Sequence, residues 1–257
     1  DIDFLRKDNM LILRDDGIGM SKKDFLDRWL TLGTDSKVAS NNNTLPPKDP
    51  TKPQRPIMGE KGIGRLAIAS IGSQVLILTK AKYEPSSKIV AAFISWDIFE
   101  LTGLNIDDVV IPVNEFDGIP TKDEICSLKN ECASSLMELR GKGKISQEDC
   151  QRISSLINGF NPNLDYIYSA IGGVTFIQNG GTHFFVSPVS DSLVPDIEGD
   201  GDSSEATKME KMLMGFHNTM TPNHPKPVVD IAFRDYRSSD GSFVSIIDKE
   251  HFFTPDE

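Results

Sequence analysis

Two glycine-rich turns constrain this chain more than any other feature in it. The first, Arg14-Asp15-Asp16-Gly17-Ile18-Gly19-Met20, closes an apolar run. The second, Gly59-Glu60-Lys61-Gly62-Ile63-Gly64-Arg65-Leu66-Ala67, opens one. A strand that ends on Asp-x-Gly-x-Gly must turn tightly and holds a carboxylate at its tip. A Gly-x-x-Gly-x-Gly that starts a helix leaves backbone N–H groups bare at the helix N-terminus.

The flanking sequence supports both placements. Residues 2–14 read as a hairpin: Ile2-Asp3-Phe4 alternates, Lys7-Asp8-Asn9 is turn-like, and Met10–Leu13 is a short apolar strand. Ser21 opens a helix as a capping box, with Asp24 reaching back toward the Ser21 backbone. Phe25, Trp29 and Leu32, widened by Leu26 and Leu30, form its apolar stripe, and Gly33-Thr34 ends it. Residues 34–58 carry Asn41-Asn42-Asn43 and the prolines 46, 47, 50, 53 and 56 without an apolar period. A loop of this length is a lid, a binding loop or a disordered insertion.

Downstream, residues 62–71 are expected to be helical. Gln74–Thr79 and Lys88–Trp96 form an antiparallel hairpin, and Val109–Ile111 a short strand limited by Pro112. Residues 121–158 read as two helices capped by Thr121 and Ser146, with a break at Gly141-Lys142-Gly143. Val174–Ile177 and His183–Val186 are strands about a turn at Asn179–Thr182. Residues 195–206 are an acidic linker, and Lys208–His217 is a Met-rich helix. Val228–Phe233 and Phe243–Ile247 read as closing strands.

Bulk properties narrow the classes. The net charge of −11 over 257 residues argues against a general nucleic-acid surface, though not against a local basic patch. Cys126, Cys132 and Cys150 form no CxxC pair and read as reduced structural thiols, which fits a cytoplasmic protein. No run approaches the roughly 20 apolar residues of a membrane helix, and no signal peptide is visible.

Each turn admits competing chemistry. The carboxylate of Asp15 suits an exocyclic amine, with Gly17 and Gly19 leaving room for a flat base. A bland Asp-Gly turn stays open. The calcium-loop pattern does not, because Ile18, Met20 and Lys22 fall where oxygen ligands belong. Phosphate oxygens suit the N–H groups of the second turn, with charge from Lys61 and Arg65. A Walker loop would need Gly-Lys-Ser/Thr, and the dinucleotide fingerprint a preceding strand; neither is present.

In this order, with a capped helix and a lid-like loop between the two turns, the sequence resembles the GHKL ATP-binding superfamily. Gly180-Gly181-Thr182 adds a third match. That group includes the gyrase B subunit, MutL, histidine kinases, the ninety-kilodalton heat-shock chaperones and the MORC proteins. Trp29-Leu30, Gly33-Thr34 and Ser36-Lys37, followed by Gly59–Ala67, look closest to the chaperone- and MORC-like branch.

The resemblance implies an α+β fold: a two-layer α/β sandwich of the Bergerat type, with a helical insertion and the start of a second domain. It implies an ATP-binding domain over 1–190, with a lid at 33–58 and an insertion at about 121–170. An acidic linker and short helix would follow at 191–224, and a transducer domain would start at 225–257. Asp15 would bind the adenine amine with support from Thr182. Gly17, Gly19 and Met20 would shape the base pocket. Gly59, Lys61, Gly62, Gly64 and Arg65 would cradle phosphates, and Lys37 would touch phosphate or lid unless it is simply solvated. ATP and Mg²⁺ are the implied cofactors.

In the hydrolytic branches a helix before the DxGxG strand supplies the Mg²⁺-binding Asn and a general-base Glu. Only fourteen residues precede Asp15, and they hold no such helix. The expectation is therefore an excerpt that starts after it, the alternative being a chain that does not hydrolyse ATP. The expected function is an ATP-hydrolysing conformational switch acting on a protein partner or through an ATP-dependent homodimer. A non-hydrolysing nucleotide-binding scaffold, and an unrelated interaction domain in which both glycine motifs are mere turns, are the alternatives.

Overall fold

The computed structural model describes residues 1–31, 44–45, 55–56, 64–83, 86–172, 180–198, 206–220, 229–238 and 242–247. Of 44–45, 55–56, 64–65 and 217–220 it describes the backbone alone.

The opening residues form the expected hairpin. β1 (Ile2–Leu5) pairs antiparallel with β2 (Met10–Asp15), and Asn9 takes the turn in a left-handed conformation at φ 46°. A short two-stranded pair, β3 (Thr44–Leu45) and β4 (Arg55–Pro56), lies within the expected lid. The second hairpin is β5 (Gln74–Lys80) with β6 (Ile89–Ser95). β7 (Val113–Phe116), β8 (Gly181–Val186), β9 (Phe233–Tyr236) and β10 (Val244–Ile247) complete one sheet, ordered β10-β9-β1-β2-β8-β5-β6-β7. Every ladder in it is antiparallel except β1 with β9.

Helices lie against both faces, which is why β5 and β6 read as unbroken apolar runs instead of alternating ones. On one face α3 (Lys122–Gly141), α4 (Gln147–Gly159) and α5 (Leu164–Ile171) bury Leu128, Leu136, Ile153 and Ile167 against Ile12, Leu76, Phe93 and Phe185. On the other face α1 (Lys22–Asp24) runs into a wider π turn, Phe25–Trp29. A 3₁₀ turn at Gly64–Ala67 leads there into α2 (Ile68–Ile71). Phe25, Trp29, Ile68 and Ile71 pack on Val75, Ile77 and Val186. Further along this face, α6 (Val194–Glu198) and α7 (Lys208–Met220) cover Phe4, Leu11 and Phe233 through Ile197, Met209 and Leu213. The expected α+β fold is thus present, and the helical insertion gives the sheet a second cover.

Several local expectations need correction. The strand near Pro112 lies after the proline, at Val113–Phe116; residues 109–111 form none, and the Pro112 carbonyl instead accepts from Phe93 N at 3.2 Å. The first helix stops at Trp29, short of Gly33, and Leu26 is exposed. Asp24 meets the Ser21 hydroxyl (2.8 Å), while Ser21 Oγ caps Asp24 N (3.2 Å). Part of the acidic linker is helical, in α6. α5 had no counterpart in the expected elements; Asn163 Oδ1 caps it at Tyr166 N. The late strand begins at Phe233, and both β9 and β10 extend the same sheet. The strand expected at 174–177 lies outside the described residues.

β9 is held to β1 by charge as well as by its ladder. Asp3 is fully buried. Its Oδ1 accepts from Arg234 Nε at 2.6 Å, and its Oδ2 accepts from Arg14 Nε and Nη2 at 3.0 and 2.8 Å. Asp235, also buried, accepts a two-pronged bond from Arg6 at 2.7 Å on each oxygen. Such buried pairs add little net stability over an apolar contact, because each ion must first be desolvated, but removing one partner strands the other charge.

Candidate functional site

The first glycine turn sits where three strands end together. Asp15 is the last residue of β2 and is paired with Thr182 of β8, which is paired in turn with Thr79 of β5. Directly opposed residues share a face, so Asp15, Thr182 and Thr79 form a row across the sheet. The row lies on the face that carries α1 and α2, because Ile77 and Phe184, two residues back along β5 and ahead along β8, pack into that cluster. The turn after Asp15 folds back over the end of this row.

Backbone geometry explains the glycines. Asp15 Oδ1 accepts the Gly17 N–H at 2.9 Å, and a Cβ at Gly17 would stand 2.7 Å from that same oxygen. Gly19 has φ +59°, and a Cβ there would fall 1.8 Å from the Lys80 carbonyl oxygen. At Gly181, φ +139°, a Cβ would fall 2.3 Å from the Asp15 carbonyl oxygen. The loop therefore lies flat on the ends of β5 and β8 because no side chain separates them. Two hydrogen bonds pin it: Lys82 N to Ile18 O at 2.8 Å and Met20 N to Thr79 Oγ1 at 2.9 Å.

Thr79 was not legible as a site residue. It is fully buried, and its Oγ1 also lies 3.0 Å from Gly181 O and 3.0 Å from Thr182 Oγ1. The signal available was a lone hydroxyl closing an apolar strand, Val75-Leu76-Ile77-Leu78-Thr79. A buried hydroxyl needs partners, and here they are the two glycine-containing turns and Thr182.

Behind Asp15, the opposite face is charged and then closed off. Arg14 points there, with Nη1 donating to the Gly172 carbonyl at 2.7 Å beside its Asp3 bonds. His183 follows Thr182 onto this face, its Nδ1 2.9 Å from Tyr168 Oη. Burial, then the positive Arg14, lowers the His183 pKa to about 3, so the ring is neutral at ordinary pH. Burial raises the Tyr168 phenol, which stays protonated.

The structure brings together Asp15, Gly17, Gly19, Met20 and Thr182. Gly64 and Arg65 are placed by backbone only, in the 3₁₀ turn that leads into α2, and that helix packs on the same sheet face as the row. Lys37, Gly59, Lys61 and Gly62 lie outside the described residues. Among the described residues no group of three or more His, Cys, Asp or Glu side chains is placed to hold a metal ion. No helix among them is long and apolar enough to cross a membrane.

A mixed eight-stranded sheet with helices, carrying an Asp-x-Gly-x-Gly turn at a strand end, is an α+β arrangement consistent with GHKL ATP-binding domains. In the comparison with protein families, residues 1–109 match the family described as histidine kinase-, DNA gyrase B-, and HSP90-like ATPase. The matched stretch contains both glycine turns, and a domain of this kind suggests ATP binding. Thr182, α3 to α5 and the strands β8 to β10 lie beyond the match. No match was found among the curated proteins.

Proposed function

We propose that the chain binds ATP across the α1/α2 face of the sheet and works as an ATP-hydrolysing conformational switch. The observation that carries the proposal is the row Asp15–Thr182–Thr79 beneath the Gly17–Gly19 turn, of which Asp15, Thr79 and the turn itself lie in the stretch that matches the ATPase family. In this reading Asp15 takes the adenine amine and Thr182 supports it. Gly17, Gly19 and Met20 line the base. The second glycine turn, Gly59, Lys61, Gly62, Gly64 and Arg65, cradles the phosphates, with Lys37 reaching in from a lid at 33–58. The packing of α2 on the same face supports that direction, since a phosphate at its leading turn and a base at Asp15 then lie along one surface.

Mg²⁺ would enter with the nucleotide and offset the charge of the phosphates. Residues 1–190 form the proposed ATP-binding domain, its sheet extended by β9 and β10; the linker at 191–224 and a transducer start at 225–257 belong to the same proposal. The chaperone- and MORC-like flavour of Trp29-Leu30 and Gly59–Ala67 supports a partner that is a protein, or a second copy drawn in when a lid closes over ATP. The acidic balance favours a protein over nucleic acid, and we place the protein in the cytoplasm.

The test is a thermal melt of the intact protein with ATP and Mg²⁺, followed by sedimentation with ATP and with ADP. A rise in Tm with ATP, absent in Gly62→Ala, supports the site. A dimer formed with ATP and not with ADP supports the switch. An unchanged Tm at millimolar ATP defeats the reading. ATP binding without turnover or dimerisation would leave only the nucleotide-binding scaffold.

A further inference from the structure

The hydroxyl of Thr79 has one proton and two lone pairs, and three neighbours compete for them. Met20 N–H can only donate to it, at 2.9 Å. The Gly181 carbonyl can only accept from it, at 3.0 Å. The third neighbour, Thr182 Oγ1 at 3.0 Å, could take either role. If Thr79 gave its proton to Thr182, two oxygens would face each other at 3.0 Å beside Gly181 with no proton between them, at a site without solvent. The arrangement that satisfies all three contacts sends the Thr79 proton to Gly181 O. One Thr79 lone pair then takes Met20 N–H, and the other takes the proton of Thr182.

We infer that Thr79 is a positioning residue that locks the Thr182 hydroxyl as an acceptor toward the ligand and so sets which base the site takes. Thr182 has a single proton, and it is held by Thr79. What Thr182 offers elsewhere is lone pairs. Its cross-strand neighbour on the same face is Asp15, whose carboxylate oxygens are also acceptors. Two acceptors side by side suit an amino group, as at C6 of adenine, and oppose a carbonyl, as at C6 of guanine. Thr79 itself does not touch the base. This inference rests on the proposed nucleotide site and adds to it the origin of base selectivity.

The experiment measures Kd for ATP and for GTP, by calorimetry, in the wild type, Thr79→Val, Thr79→Ser and Thr182→Val. Valine keeps the shape of threonine but leaves the Thr182 proton free to rotate toward a carbonyl. The expected result is an ATP-over-GTP preference that narrows by about tenfold in Thr79→Val, or about 1.4 kcal/mol, and returns in Thr79→Ser. A merely structural role would weaken both nucleotides equally. A folded Thr79→Val with the wild-type ratio overturns the inference while leaving the ATP site intact. Should Thr79→Val not fold, Thr182→Val keeps the Thr79 bonds to Met20 and Gly181 and must narrow the same ratio; an unchanged ratio there overturns it equally. A wild type that binds neither nucleotide overturns the site itself, and this inference with it.

Discussion

Gly19→Ala probes how closely the proposed base pocket is built on bare backbone. The new Cβ would lie 1.8 Å from Lys80 O, 2.6 Å from Lys80 C and 2.9 Å from Gly181 N, all backbone atoms that cannot rotate away. Normal contact distances near 3.5 Å require the turn to lift by about 1.5 Å. That displacement breaks the bonds from Met20 N to Thr79 and from Lys82 N to Ile18. Each costs about 0.5–1.5 kcal/mol net, and alanine at φ +59° adds about 1–2 kcal/mol. The sum is about 2–5 kcal/mol, drawn from a turn at the ends of the central strands β2, β5 and β8. Gly103→Ala is the control: its φ is +87°, but nothing lies within 4 Å of the added carbon, so it carries backbone strain alone. Melting curves and ATP titrations of both variants separate the two terms. Gly19→Ala should lower Tm more than Gly103→Ala and weaken ATP at least tenfold, whereas Gly103→Ala should leave ATP affinity unchanged. Equal Tm and equal ATP affinity in the two variants would refute the close approach of turn and strand.

Asp3→Ala should cost about 3–5 kcal/mol, because Arg14 and Arg234 would lose their shared buried carboxylate; denaturant unfolding measures it, and a loss below about 1 kcal/mol would contradict the pairing. His183 gives an acid limb. Its folded pKa near 3 lies below the ordinary 6.5, so the unfolded chain binds more protons between those values. Stability is then full above about pH 6.5 and falls by up to about 1.4 kcal/mol per unit as pH drops toward 3. His183→Gln should flatten that limb in urea titrations across pH, and an unchanged slope would speak against it. Cys126 is exposed, whereas Cys132 and Cys150 are buried and burial pushes the Cys132 thiol up to about 12. A thiol reagent should label one cysteine per native chain and all three only after unfolding.

The hairpins, the capped helices and the first glycine turn were legible because each is written in local chemistry. Asn9, Thr121 and Ser146 act where turn and cap residues act in any chain. Thr121 and Glu124 close a reciprocal box, Glu124 Oε2 to Thr121 N at 2.7 Å and Thr121 Oγ1 to Glu124 N at 3.3 Å. The misplaced strands failed for a different reason. Val109–Ile111 is apolar enough for a strand, but β6 pairs with Val113–Phe116, a polar edge strand whose period is faint. Tertiary pairing overrode propensity there. β9 carries Arg234 and Asp235, whose partners Asp3 and Arg6 come from the other end of the chain and leave no local signal. Thr79 was hidden likewise. Its role depends on Met20 and Gly181, residues far apart in sequence, and no spacing rule connects them.

The central claim is that Asp15 holds the base of ATP. Asparagine at this position keeps an Oδ1 for the Gly17 N–H and so preserves the turn. It removes the negative charge and puts a donor where an acceptor stood. Isothermal titration of ATP into wild type and Asp15→Asn is the direct measurement. Loss of a charged hydrogen bond, about 1.5–3 kcal/mol, predicts ATP binding weakened by roughly tenfold to a hundredfold in a variant that melts like the wild type. An Asp15→Asn protein that binds ATP as tightly as the wild type would contradict the account.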